Sequence, residues 1–266
     1  MDLKNITSEV CKVAIEGGAF LKRERLIFDK NKIEEKNSHD YVSYVDKETE
    51  KILVKKLAEI LPQAGFITEE GTADYAQEDY YWVIDPLDGT TNYIQDYAPY
   101  CVSIALMNKG EFLIGVVYEV CRDECFYAWK DGGAYMNGKR ISVSDTFQMN
   151  KAFAGLDLPY NDKTYKPVIN HLLDSLYGKV SSVRFCGSAA MALCFVAIGR
   201  YDMWAEAFLK LWDFAAGALI VQEAGGKVSD FAGNAGFCDN HYIVASNNKL
   251  HSEIISLTSG YQDKLS

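Results

Sequence analysis

The chain has 266 residues, of which 48% are hydrophobic and 24% charged, and a formal net charge of −10. This length suits one large domain or two small ones, and the composition is that of an ordinary soluble globular protein. The acidic balance argues against a non-specific nucleic-acid binder, which would be basic. It also obliges a protein that handles an anionic substrate to cancel repulsion locally, as bound cations do.

Residues 3 to 28 carry Leu3, Ile6, Val10, Val13, Ala14, Gly17 and Leu21 at three- and four-residue steps, which predicts a helix with one buried face. Lys30 to Asp40 is polar and reads as a mobile loop. A second helix is expected from Asp46, a candidate cap, to about Leu61, with Pro62 as its stop. Strands are expected at 65–68, 80–84, 101–108, 112–119 and 124–129, with turns at Gly110, Asp131-Gly132-Gly133 and Asn137-Gly138. The second half changes rhythm. Gly187 to Ile198 reads as a small-residue helix and Tyr201 to Glu206 as a strand. Asp213 to Ala224 reads as a buried helix closed by Gly225-Gly226, followed by strands at 227–230 and 242–246. This order suggests sheets layered between helices.

Seven cysteines without framework spacing point to free thiols, mostly buried, and to a reducing cytoplasm. Cys121 and Cys125 lack the spacing of a redox or metal pair, and the four histidines form no zinc cluster. The amphipathic N-terminus does not read as a signal peptide, and no apolar run reaches the length of a membrane span.

Three acidic sites sit at the ends of apolar elements: Glu69-Glu70 after strand 65–68, Asp85 and Asp88 after strand 80–84, and Asp213 at the start of the buried helix. Asp85-Pro86-Leu87-Asp88-Gly89 is also ordinary turn chemistry, Glu69-Glu70 alone could be a solvated turn, and Asp213 alone a helix cap. Pro86 disfavours a continued strand or helix. Carboxylates beside apolar runs are costly to dehydrate unless paired or metal-bound, and no lysine or arginine lies within these motifs. Five such carboxylates converging would need two or more divalent ions. An all-oxygen donor set favours Mg²⁺ or Mn²⁺ over Zn²⁺ or Cu²⁺.

Thr68-Glu69-Glu70, the run from Trp82 through Asp85-Pro86-Leu87-Asp88-Gly89-Thr90-Thr91-Asn92 to Tyr93, and Trp212-Asp213 with Ala215-Ala216-Gly217 together resemble the inositol monophosphatase family. Gly187-Ser188-Ala189-Ala190 fits as well, and the resemblance spans about residues 5 to 255. It implies an α/β (α+β) fold, a layered αβαβα sandwich of the sugar-phosphatase type. It implies one catalytic domain over 1–266, with 1–150 on the metal and phosphate side and 151–266 on the substrate side.

The resemblance also implies roles. Glu69, Asp85 and the Leu87 carbonyl would hold a first Mg²⁺. Asp85, Asp88 and Asp213 would hold a second, and Glu70 a third, weaker ion through water while helping to activate the nucleophile. Thr90, backed by Asp46, would orient the attacking water. Gly89, Thr90 and Thr91 would face phosphate, and Gly187, Ser188, Ala189 and Glu206 the rest of the substrate. Lys36 and Asp40 fall where the family has a metal-sensitive segment.

The implied reaction is hydrolysis of myo-inositol 1-phosphate or a similar polyol or sugar phosphate, lithium-sensitive, by a cytoplasmic homodimer with no nucleic-acid polymer or membrane as partner. Fructose-1,6-bisphosphatase and 3′-phosphoadenosine-5′-phosphate phosphatase are the alternatives. The nucleotide enzymes usually carry Asp-Gly-Thr-Lys, so Thr91-Asn92 favours the inositol branch. Two departures bear on the substrate: Asn92-Tyr93-Ile94-Gln95 where many members read Asn-Phe-x-His, and an apolar stretch over 206–211 that includes Phe208.

Overall fold

The computed structural model describes residues 1–28, 33–37, 40–73, 78–158, 166–236 and 242–259. Helix α1 (Leu3–Arg25) is capped by Asp2 and buries Val10, Val13, Ala14 and Leu21. Strands β1 (Ile33–Asn37) and β2 (Asp40–Ser43) pair antiparallel, so the expected 30–40 loop contains two extended segments. The side chains of Lys36 and Asp40 lie outside the described residues, as do His39, His241 and Cys238. Helix α2 (Tyr44–Ile60) starts two residues before Asp46. Ser43 is its N-cap, and Asp46 occupies the third helical position, where its carboxylate reaches back to the cap in a capping box.

Among the described residues the strands form two larger sheets besides this pair. The first runs in the order β3 (Ala64–Thr68), β4 (Tyr80–Asp88), β5 (Cys101–Asn108), β6 (Glu111–Glu119), β7 (Glu124–Trp129), β8 (Gly133–Met136) and β9 (Lys139–Arg140). Only β3 and β4 are parallel within it. Helix α3 (Thr90–Gln95) follows β4 directly. The second sheet has the order β11 (Ser182–Arg184), β10 (Phe153–Leu156), β12 (Met203–Ala207), β14 (Tyr242–Ser246) and β13 (Lys227–Ser229).

Alternation along the strands sorts the core into three layers. Trp82, Ile84, Val102 and Ile104 face α1 and α2. Val83, Cys101, Ala105 and Val117 face the middle layer, α5 (Ala189–Ala197) and α6 (Leu211–Glu223), which packs on its other side against Trp204, Val228, Ile243 and Ala245. Met203, Ala205 and Val244 face α4 (Lys166–Leu176) and α7 (His251–Thr258). The order is helices, sheet, helices, sheet, helices, the expected αβαβα sandwich. Buried on both sides, α5 and α6 are apolar almost all round.

Two glycines let the layers close. A Cβ on Gly115 of β6 would stand 2.5 Å from the Ala216 carbonyl of α6, and one on Gly18 of α1 would overlap the Tyr118 ring. No described helix is long and apolar enough to cross a membrane. Among the described residues six cysteines are free thiols; Cys101, Cys125, Cys186 and Cys194 are buried, while Cys121 is exposed.

Candidate active site

Strand β4 does not stop at Pro86. It continues to Asp88, but its pairing with β5 shifts: Asp85 sits opposite Ser103 and Asp88 opposite Cys101. Pro86 has no N–H for the ladder, so the strand survives here only as an irregularity. The effect is to set Asp85 inside the protein and Asp88 at its edge. Asp85 is 2% exposed, and its Oδ1 accepts the Leu87 N–H at 2.9 Å. Gly89 then turns the chain with φ 90°, a conformation that strains any residue with a Cβ. A Cβ there would also stand 3.1 Å from the Pro99 carbonyl. Thr90 opens α3, whose leading N–H groups have no acceptor within the helix. Thr91 is exposed beside it.

Thr90 Oγ1 lies 2.9 Å from the Leu87 carbonyl and 3.2 Å from Asp46 Oδ1. Asp46 is fully buried, with Oδ2 accepting both the N–H (2.9 Å) and the hydroxyl (2.7 Å) of Ser43. Its pKa is raised, because burial outweighs these hydrogen bonds. Glu69 and Glu70 are half-buried at the end of β3, where the Glu69 N–H meets the Ile84 carbonyl.

Asp88 connects the two halves of the chain. Its Oδ2 accepts the Ser188 hydroxyl at 2.6 Å, the Ala190 N–H at 2.8 Å and, more weakly, the Cys101 thiol at 3.7 Å. A carboxylate at the first turn of α5 suits the positive end of that helix. Ser188 is also the N-cap of α5 and accepts the Met191 N–H at 3.3 Å. Asp213 is the third residue of α6 rather than its cap; its Oδ2 accepts the Lys210 N–H at 2.6 Å. Glu206 is 8% exposed on β12.

The electrostatics tie these groups together. Burial first, and then the charges of Glu69, Asp88 and Asp213, push the Asp85 carboxyl well above the ordinary range. Glu69 is also within hydrogen-bond reach of Asp85. Burial likewise raises Asp88, against its hydrogen bonds. Glu206 is raised well above its ordinary value by burial and then by Asp157, Asp213 and Asp88. Yet among the described residues no three His, Cys, Asp or Glu side chains stand together as a finished metal cage. Carboxylates that repel one another take protein donors instead, as Asp88 and Asp213 do. The donor set fits a hard divalent ion: buried or half-buried carboxylates, a backbone carbonyl beside them, and mutual repulsion that a cation would relieve.

Two residues missed by sequence reasoning complete the site. Glu50, fully buried on α2, accepts the Glu70 N–H (2.8 Å) with one oxygen and the Thr72 N–H and hydroxyl (each 2.8 Å) with the other. It holds the Glu69-Glu70 turn. Its signal was its place one helical turn after Asp46, on the same face. The second is Asp157, at the end of a strand that sequence reading did not find.

The chain matches the model of the Inositol monophosphatase family over residues 2–263. It belongs to the inositol monophosphatase family. The putative Nus factor SuhB of Neisseria meningitidis serogroup B is 38% identical over 251 residues, covering 94% of this chain and 96% of that protein. The Nus factor SuhB of Escherichia coli K12 is 38% identical over 233 residues, 87% and 86% of the two chains. Among solved structures, the extragenic suppressor protein suhB from Bartonella henselae superposes with a TM-score of 0.90 at 31% identity, covering 97% of this chain and 98% of that one. The inositol monophosphatase from Anabaena superposes with a TM-score of 0.87 at 29% identity, covering 97% and 96%. The inositol monophosphatase family is a family of small-molecule phosphatases and is generally Mg²⁺-dependent, so fold and family support phosphatase chemistry here.

Proposed function

We propose that this chain hydrolyses a phosphate monoester with Mg²⁺, and that its preferred substrate is myo-inositol 1-phosphate. The observation that carries this reading is buried Asp85, whose charged neighbours Glu69, Asp88 and Asp213 are all carboxylates, lying beside the Thr90–Asp46 pair. Glu69, Asp85 and the Leu87 carbonyl would hold one Mg²⁺, and Asp85, Asp88 and Asp213 a second. Glu70 would hold a third through water. Bound there, the ions would supply an activated water and neutralise charge on phosphate and leaving oxygen.

The chain's own groups would do the rest. The Gly89 and Thr90 N–H groups, with Thr91 beside them, would grip phosphate oxygens at the start of α3. The Thr90 hydroxyl, held in place by Asp46, would orient the water for in-line attack. Glu206 would accept hydrogen bonds from substrate hydroxyls, with Gly187, Ser188 and Ala189 as the adjoining wall. Residues 1–150 would thus serve mainly metal and phosphate, and 151–266 the polyol, with Asp213 crossing over. We also propose a cytoplasmic homodimer, sensitive to lithium.

Steady-state kinetics with Mg²⁺ on myo-inositol 1-phosphate, fructose 1,6-bisphosphate and 3′-phosphoadenosine 5′-phosphate test the substrate. Preference for the nucleotide would sink the inositol assignment. Activity surviving in EDTA would remove the metal. Asp88→Asn should fold and lose nearly all turnover; near-normal turnover would show that Asp88 is no ligand.

A second reading comes from the relatives' names. Proteins 38% identical to this chain are called Nus factors. A role of that kind would be separated from hydrolysis if Asp88→Asn lost turnover and kept it.

A further inference from the structure

Asp157 is a buried carboxylate that no step above employs. It follows β10, is 5% exposed, and its N–H approaches the Ala205 carbonyl of β12 at 3.4 Å. Its Oδ1 accepts two consecutive backbone donors, Cys186 N–H and Gly187 N–H, each at 2.7 Å. Its Oδ2 accepts Trp204 Nε1–H at 2.9 Å. All three donors are neutral, so no cation offsets the cost of placing this charge inside the protein. Burial accordingly raises its pKa, to about 6.

The same short segment is held from the opposite side. Asn92 Nδ2 lies 2.8 Å from the Pro99 carbonyl and 3.0 Å from the Cys186 carbonyl. Helix α3, which follows β4, therefore takes the carbonyl side of Cys186 through Asn92, while the end of β10, through Asp157, takes the amide side of Cys186 and Gly187. Gly187 sits between the clamps at φ 70°, where a Cβ would meet Asn92 Oδ1 at 3.0 Å. The next residue, Ser188, is the one that reaches Asp88. A carboxylate makes shorter and stronger hydrogen bonds to N–H groups than a neutral acceptor does. A doubly clamped backbone is what a preorganised binding wall requires.

We propose that Asp157 is a positioning residue for the polyol half of the substrate: by fixing the Cys186–Gly187–Ser188 backbone it sets which alcohol is accepted. The proposal rests on the phosphatase reading above and adds to it the residue on which discrimination between substrates depends. In the proposed site phosphate capture belongs to Gly89 and Thr90 at the start of α3, so a displaced wall weakens recognition of a hydroxyl-bearing ring more than that of a flat aryl ester.

The test compares wild type, Asp157→Ala and Asp157→Asn on myo-inositol 1-phosphate and on p-nitrophenyl phosphate, with hydrogen exchange followed over residues 185–191. In Asp157→Ala, kcat/KM for the inositol ester should fall about 10- to 100-fold further than that for the aryl ester, chiefly through KM. The Cys186 and Gly187 amides should lose protection while the core strands keep theirs. Asp157→Asn retains Oδ1, the atom that takes both amides, but turns an NH2 toward Trp204 Nε1–H, so it should recover part of the loss. Equal losses on both substrates, or Asn as damaging as Ala, would show a general structural or purely electrostatic role and overturn the proposal. Unchanged exchange over 185–191 would overturn it as well. If wild type hydrolyses neither ester, the phosphatase reading fails, and the exchange data alone decide whether Asp157 holds the segment.

Discussion

Ser188 donates its hydroxyl to Asp88 Oδ2 at 2.6 Å, joining residues 100 positions apart. Ser188 Oγ also caps the N-terminus of α5 by accepting the Met191 N–H. Ser188→Ala removes both interactions at once. Loss of the cap should cost about 1 kcal/mol of stability. With Ser188 gone and only Ala190 N–H and the weak Cys101 contact left to orient it, Asp88, as a proposed ligand, should bind Mg²⁺ less well. Thermal melts with and without Mg²⁺ check this: a variant stabilised by Mg²⁺ as much as wild type would show that Ser188 serves the helix alone.

Glu50 holds the Glu70 and Thr72 amides and so fixes the Glu69-Glu70 turn. Groups that orient ligands typically change metal affinity by about 10- to 100-fold when removed. Glu50→Ala should raise the Mg²⁺ concentration needed for half-maximal activity by that order. The Mg²⁺ dependence of Tm should shift in parallel.

Gly115 sets the distance between β6 and α6, and α6 carries Asp213. In Gly115→Ala the new methyl would enter the space of the Ala216 carbonyl, 2.5 Å away. Overpacking of this kind costs roughly 1–3 kcal/mol. Urea unfolding should register that loss, and turnover should fall as α6 is displaced from the first sheet.

His251 governs part of the pH response. It is buried between Ser229 Oγ, 2.9 Å from Nε2, and Ser246 Oγ, 2.8 Å from Nδ1. Because Ser229 donates to the Asp230 carbonyl, its oxygen is left to accept from Nε2–H, and Nδ1 accepts from Ser246. Burial, and then Lys227, push the pKa down to about 4 from 6.5. Between those values the unfolded chain binds a proton that the folded chain refuses. Stability due to His251 is therefore complete above pH 6.5 and is lost as pH falls toward 4. Asp157, raised to about 6, acts with the opposite sign, costing stability as pH rises from about 4 to 6. His251→Asn should remove the acid-side loss, so that Tm declines less between pH 6.5 and 4 than in wild type. An unchanged slope would show that His251 titrates alike in the folded and unfolded states.

The chain order of elements and the chemistry of the candidate ligands were legible in the sequence, because both are local. Residues 101–108 and 124–129 alternate or run apolar between turn residues, and the strands match those bounds. Asp85 and Asp88 stand out because a proline and a glycine frame them. What remained hidden depends on contacts between distant segments. Nothing near Pro86 shows that the strand continues past it; pairing with β5 on one side and the shifted register at Asp88 sustain it. Asp46 and Asp213 look like caps in sequence, and the structure places each one turn inside its helix, reaching back to the residue before it. Short strands such as β10 and β11 carry too few residues for a period to emerge, so Asp157 could not be placed. The sequence by itself determined which oxygens could serve a divalent ion. Only the tertiary structure decided which side chains hold those oxygens and the neighbouring wall, because Glu50, Ser188 and Asp157 act on backbone and carboxylate groups 20 to 100 residues away.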